Sequence, residues 1–435
     1  MSTETSAIFW KSSPLRKAAP FLALFLMILF SISLGRQLIN EGKSQYLYYY
    51  SKKPTAPFHA WLMSPHIDTY AKATGDYYAR YSTPPEWDRA RTGYRLAVEA
   101  NPWSAYNWLN YAETQMKLEK PERAAKAYKV ASEIDPHNRF VQLETGNFFF
   151  TREEVWQAIP YYARAIKLEP GYAQSIYAVY WSLGFDPVKV ARELVWHSPK
   201  LMRTYFNKCL EWLEPEQIEP IWQAFQEVDD ALDMDSYRNF YNYLMAKEEY
   251  DRVRTLWAEI AQKYYEVEWN PDAELFWNGN LERPLAFEGG LEWQIHSRMP
   301  EGAQADISGA NILQGKWALR ISFAGKANIR FSHVRHALLL EPDTDYILRY
   351  QVSAVGITTH NGPYVMLTLH GPNGKQLRDE IIKGTERRQM ELPFTTPPDC
   401  HWGELFIRRD VSKKLNNKIA GMVTYDNFTI EKVQP

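Results

Sequence analysis

Seven side chains in the last third of the chain carry one kind of chemistry: Arg349, Gln351, Tyr364, His370, Trp402, Phe406 and Arg408. Each alternates with an apolar series, Leu348, Tyr350 and Val352, then Val365, Leu367 and Leu369, then Leu405 and Ile407. Successive side chains of a β-strand point to opposite faces, so the apolar series points inward and these seven point outward. Aromatic rings beside planar hydrogen-bonding groups suit a ligand with apolar faces and a rim of hydroxyls, which is the surface of a pyranose. The same face would equally suit a seam against another part of the chain.

No reactive constellation stands beside them. The sequence has no Gly-rich phosphate loop, no GxSxG, no HExxH and no paired-cysteine motif. His333 and His336 are three apart, an odd spacing that sends them to opposite faces of a strand and argues against a shared metal. Glycoside hydrolysis needs two carboxylates held at a defined separation, whereas Asp379 and Glu380 are neighbours and read as a loop charge pair. Cys209 and Cys400 read as unpaired small hydrophobes in different domains. The expectation is a chain without catalytic residues, resident metal or cofactor.

The middle of the chain is a repeat. Pro102, Pro136 and Pro170 recur every 34 residues and close three windows, 71–104, 105–138 and 139–172. Ala90, Ala124 and Ala158 share one offset; Tyr94, Tyr128 and Tyr162 a second; Ala97, Ala131 and Ala165 a third. Trp108, Tyr111, Ala112 and Gln115 of the second window match Gln142, Thr145, Gly146 and Phe149 of the third. Small residues let two helices approach, aromatics fill the gaps between them, and the proline stops the second helix. This pattern resembles the tetratricopeptide repeat, a helix–turn–helix unit that stacks into a superhelix.

The resemblance covers 71–172 well and fades toward residue 270, where 241–264 reads as a degenerate last hairpin with Tyr250, Val253 and Trp257 on one face. It implies a protein partner along the concave face, on Tyr106, Leu109, Glu113 and Met116, then Phe140, Leu143, Asn147 and Phe150. These positions lack the Lys/Arg set with which chaperone-binding members hold a terminal carboxylate. Alternatively, several of them pack against residues 37–70 or against the next domain.

After Trp277 the apolar period changes from about 3.6 to 2. Strand-length pieces lie at 316–323, 344–354, 364–371, 403–410 and 422–430, separated by turn signals such as Pro342-Asp343, Asn361-Gly362-Pro363 and Pro372-Asn373-Gly374. Opening on NGNLE and closing on MVTYDNFTI, residues 278–435 resemble the jelly-roll carbohydrate-binding modules that accompany polysaccharide-degrading enzymes. Those modules commonly open on an Asn-Gly-x-Phe-Glu strand; Leu281 stands here in place of Phe, and Asn278-Gly279 is expected to begin the first strand. Sugar contacts vary within that family, so none transfers directly. The family often holds a structural calcium near the chain termini; Glu282 and Asp426 are the matching carboxylates, too few for a site by themselves.

Residues 18–35 are uncharged and strongly apolar, preceded by Lys11, Arg16 and Lys17 and followed by Arg36. Eighteen residues of helix cover ~27 Å, just enough for a bilayer core. The charge bias predicts a single-pass anchor in a bacterial inner membrane with its N-terminus in the cytoplasm; a cleaved signal peptide is the alternative. Both place 37–435 in the same extracytoplasmic compartment. Net charge is −2 overall, split as +2 over 1–42, −6 over 43–277 and +2 over 278–435, which excludes a general nucleic-acid binder.

The fold expected is therefore multidomain: a cytoplasmic tail (1–17), a transmembrane signal-anchor helix (18–36), a juxtamembrane segment (37–70), an all-α tetratricopeptide-type superhelix (71–277) and an all-β jelly-roll sandwich (278–435). The function expected is a membrane-anchored scaffold of a cell-envelope polysaccharide system of exopolysaccharide or O-antigen type. Its array would hold a protein, for example a polysaccharide polymerase or ligase, and its sandwich a glycan. The alternatives are a purely protein-binding structural chain and, further off, a weak glycoside hydrolase or lyase.

Overall fold

The computed structural model describes residues 14–53, 55–310 and 313–433; most of the N-terminal tail, with Lys11, lies outside them. The chain divides into two compact units, Met1–His197 and Ser198–Pro435.

The first unit is helical. Helix α1 (Pro14–Tyr50) runs well past the apolar segment. Over Pro20–Tyr50 it is long and apolar enough to cross a membrane, with a best-window mean hydropathy of 2.0 and none of that window buried. Length and hydropathy of this kind also describe a signal sequence. A short helix α2 (Ala56–Met63) folds back along its end, where the buried hydroxyls of Ser44 and Ser64 meet at 3.0 Å.

Helix pairs follow: α3 (Asp68–Asp76) with α4 (Trp87–Ala100), α5 (Ala105–Lys117) with α6 (Pro121–Ile134), α7 (Arg139–Thr151) with α8 (Val155–Leu168), then α9 (Ala173–Ser182) with α10 (Pro187–Leu194). The recurrent alanines at 90, 97, 124, 131, 158 and 165 are all fully buried, as close helix approach requires. A Cβ on Gly146 would lie 2.7 Å from the Tyr162 ring, so the small residue and the aromatic are two halves of one contact. Ser104 and Asn138 cap α5 and α7 by accepting backbone N–H groups of the first turn. The first window departs from the register. There Gly75, rather than the residue at the matching offset, meets the Tyr94 ring, because a π-turn (Tyr77–Tyr81) and an extended stretch lengthen the connection to α4.

The second unit joins four helices, α11 (Pro199–Trp212), α12 (Pro215–Gln226), α13 (Met234–Ala246) and α14 (Tyr250–Tyr265), to a β-sandwich. The α13–α14 hairpin keeps the turn of a repeat. Glu248 takes a left-handed φ of 62°, as Glu119 (56°) and Glu153 (63°) do between their own paired helices. Each glutamate N–H donates to the carbonyl three residues back, and the next residue's N–H to the carbonyl five back.

The sandwich strands are β1 (Gln294–Ile295), β2 (Ala303–Ser308), β3 (Ala318–Ala324), β4 (Phe331–Leu339), β5 (Asp345–Ile357), β6 (Tyr364–Leu369), β7 (Gln376–Arg378), β8 (Gly384–Thr395), β9 (Trp402–Arg409) and β10 (Ala420–Lys432). They form two antiparallel sheets, β1-β4-β9-β6-β7 (sheet I) and β2-β3-β10-β5-β8 (sheet II). Leu319, Ile321, Val352, Leu367, Leu405 and Ile407 fill the space between them and are fully buried. An all-α array followed by an all-β sandwich is thus the architecture.

One expectation fails at the joint. Asn278-Gly279 does not open a strand but forms a turn, with Asn278 and Leu281 at φ of 51° and 60°. The Asn278 side chain bridges this turn: its Oδ1 accepts from Arg283 N at 2.9 Å and its Nδ2 donates to Arg283 O at 2.9 Å. Gly279 lies so close to β10 that a Cβ would sit 1.9 Å from Phe428 O. The Asn-Gly pair is needed for close approach, not for strand pairing.

Candidate binding faces

On the array, Tyr106 and Phe140 stand out from adjacent first helices, 49% and 45% exposed, with their rings stacked at 6.2 Å. Asn138 Nδ2 donates to the Tyr106 hydroxyl at 3.2 Å, which fixes the pair. Glu113 is exposed; Met116, Leu143, Asn147 and Phe150 are half-buried; Leu109 is buried and belongs to the core. Asn147 Oδ1 accepts from the Tyr162 hydroxyl at 3.0 Å, and Phe150 packs on Tyr162 and Tyr180. The eight positions therefore separate into a presented set (Tyr106, Glu113 and Phe140) and a set committed largely to repeat stacking. Glu144, which the repeat pattern does not single out, joins the face. Burial raises its carboxyl above the ordinary range, opposed by the Asn147 hydrogen bond and reinforced by Glu113 nearby.

On the sandwich, strand pairing decides which of the seven candidates meet. Tyr364, His370, Trp402, Phe406 and Arg408 share the outer face of sheet I, because β6 and β9 are neighbours in register Tyr364↔Arg408 and Met366↔Phe406. Arg349 and Gln351 do not join them. Strand β5 lies in sheet II between β10 and β8, so these two face away on the opposite side of the sandwich. There Arg349 is held by Glu391 and Glu431, and Gln351 donates to Gln314. Alternation identified both correctly as outward, but it carries no information on strand order.

The sheet I face is more polar than the sequence pattern indicated. Glu404 at its centre accepts from Arg335 Nη1 at 3.3 Å and lies 3.2 Å from His370 Nε2. Arg335 Nε donates to Gln294 at 2.8 Å. His370 lies flat on Trp402, ring centroids 3.7 Å apart and planes 5° from parallel, so one face of the indole is already occupied. Tyr364 is buried, its hydroxyl donating to Asp410 at 2.8 Å while Arg378 covers its ring at 3.7 Å. Phe406 stays half-exposed and, together with Thr368, Gln376 and Arg378, leaves the half of the face formed by β9, β6 and β7 open. Arg335 is a further residue of this face; in "FSHVRHALLL" it lies two residues from His333, on the same side of β4, and that alternation is the sequence signal for it.

The other half is walled. Helices α13 and α14 pack beside β1, β4 and the start of β9, with Arg254 donating to Leu340 O at 3.3 Å and Tyr250 stacked on His401 at 4.9 Å. Between α13 and the sheet lies a cleft of about 340 Å³, which Ala337 and Trp402 also line. The wall is anchored by buried groups. Trp277 is enclosed by Trp257, Tyr265 and Trp269. Buried Glu292 accepts from the Tyr265 hydroxyl and from the N–H groups of Ala286 and Glu288. An open half and a helix-covered half thus divide one sheet between them.

The remaining candidates have local partners. Asp379 accepts from the Tyr350 hydroxyl at 2.7 Å, and Glu380 pairs with Arg388 at 2.7 Å. His336 is buried and His333 lies on the other side of β4. Glu282 accepts from Lys316 N and Trp317 N, and Asp426 from Gln314 N. Burial raises the Asp426 carboxyl, and these backbone donors oppose the rise. Among the described residues, no three His, Cys, Asp or Glu side chains gather as a metal set.

No family model matches the chain, and no curated protein matches it. Among solved structures, a crystal structure of MamA is similar over 39% of this chain and 89% of its own, at 19% identity and a TM-score of 0.28. The first TPR of Spaghetti (RPAP3), bound to an HSP90 peptide, is similar over 27% of this chain and 96% of its own, at 19% identity and a TM-score of 0.24. A CBM4 structure is similar over 36% of this chain and 99% of its own, at 13% identity and a TM-score of 0.27.

Proposed function

We propose that this chain is a non-catalytic, membrane-anchored scaffold of a bacterial cell-envelope polysaccharide system. Helix α1 anchors it in the inner membrane with the bulk of the chain outside. The array holds a protein partner, a membrane-bound polymerase or ligase by this reading, on the face presented by Tyr106, Glu113 and Phe140. The sandwich holds glycan on the open half of sheet I. The observation that carries the glycan half is the grouping on that face of Phe406, half-exposed, with Thr368, His370, Gln376 and Arg378. An apolar ring among hydrogen-bonding groups is what a pyranose requires.

The test is retention of the full chain, in detergent, on immobilised bacterial exopolysaccharides and O-antigen polysaccharides. Phe406→Ala should lower retention severalfold, while Arg349→Ala, on the far sheet, should leave it unchanged. Equal retention of Phe406→Ala and wild type would remove the sheet I site. A specific observation supports the second reading, a purely protein-binding sandwich: α13 and α14 already cover the Trp402 end of the face. That reading expects no retention on any polysaccharide.

A further inference from the structure

We propose that the sheet I site takes the terminal unit of a glycan chain rather than an internal stretch, an inference that rests on the glycan reading above. A sheet face open on both sides lets a polymer cross all the strands and continue. Here the face is open toward β7, a three-residue edge strand with Gln376 and Arg378 exposed, and blocked at the other side by α13. A chain laid across β6 and β9 reaches the α13 wall and stops.

The blocked end has the chemistry of a terminus pocket. Tyr241, Asn242 and Met245 of α13 face Gln294, Arg335 and Glu404 across the cleft. Its volume of about 340 Å³ is at the low end of ligand pockets, roughly 300–1,000 Å³, which is room for a single unit and not for a run of them. A terminal sugar bears a free hydroxyl where an internal unit bears a glycosidic bond, and that hydroxyl needs partners. Glu404 accepts, and Arg335 and Asn242 donate. Tyr241 is only 5% exposed, and its hydroxyl has no hydrogen-bond partner among the described residues. A buried hydroxyl without a partner is costly, and this one is closed off behind the cleft wall rather than open to the cleft. Trp402 lines the same cleft and adds apolar surface to it.

Capacity for ends can be separated from capacity for chain. The full chain in detergent is titrated onto equal masses of one retained polysaccharide, intact and after partial acid depolymerisation. Saturating protein bound per mass of glycan should rise by the same factor as the number of chain ends. Asn242→Trp, which fills the cleft from an exposed position, should abolish binding without changing the unfolding midpoint. Capacity unchanged by depolymerisation, or binding unaffected by Asn242→Trp, overturns the terminal-unit assignment while leaving the glycan reading standing. Failure of every polysaccharide to retain the chain overturns both.

Discussion

His336 shows how one buried side chain records the joint between helices and sandwich. Its Nε2 donates to Trp277 O at 2.8 Å, a bond that neutral imidazole and imidazolium can both make. Burial lowers its pKa from 6.5 to about 4, against the backbone hydrogen bonds that favour the charged form. A depressed folded-state pKa means stability fully present above about 6.5 and lost as pH falls toward 4. The displacement corresponds to about 3 kcal/mol. Urea midpoints at stepped pH should fall across that window for wild type and fall less for His336→Gln, which keeps a donor but does not titrate. Equal pH slopes would contradict this account. Glu292 has the opposite sign: burial raises its carboxyl, so its contribution weakens as pH rises through the raised value. Glu292→Ala strands the N–H groups of Ala286 and Glu288 and the Tyr265 hydroxyl, and should cost about 3 kcal/mol by urea unfolding. Neither role was legible in sequence, because both depend on which loop closes over which helix.

At the scale of elements, local chemistry was readable and long-range pairing was not. The alanines and tyrosines of windows 105–138 and 139–172 identified the helix pairs, because each contact joins residues of adjacent helices at fixed separation. The first window slipped because a π-turn altered the spacing between Gly75 and Tyr94. The alternation around Leu348 and Leu405 located strands β5 and β9, yet nothing local told that they belong to different sheets. That is why Arg349 and Gln351 were grouped with residues they never meet. Glycine substitutions test the packing directly. Gly184 and Gly290 both have left-handed φ, 76° and 61°. A Cβ at Gly184 meets nothing within 4 Å, whereas one at Gly290 lies 2.2 Å from Trp257. Gly184→Ala should cost about 1 kcal/mol, the backbone strain alone. Gly290→Ala should cost about 3 kcal/mol, because Trp257 must also move. Equal losses in thermal or urea unfolding would show that the α14–sandwich contact is not tightly packed.

For the whole molecule, the order of parts (apolar helix, repeat array, sandwich) follows from periodicity alone, since each part has its own period. The division of one sheet between a helix-covered half and an open half does not, because it depends on how the α13–α14 hairpin docks on β4 and β9. The central claim is that two separate faces serve two separate ligands. Isolation of the full chain from its native cells in mild detergent tests this, with co-purifying protein and bound glycan sugars quantified on each sample. The account predicts that the Tyr106→Ala/Phe140→Ala double variant loses its protein partner and keeps its glycan, and that Phe406→Ala loses glycan and keeps the partner. Loss of both by either variant, or of neither by both, would contradict it.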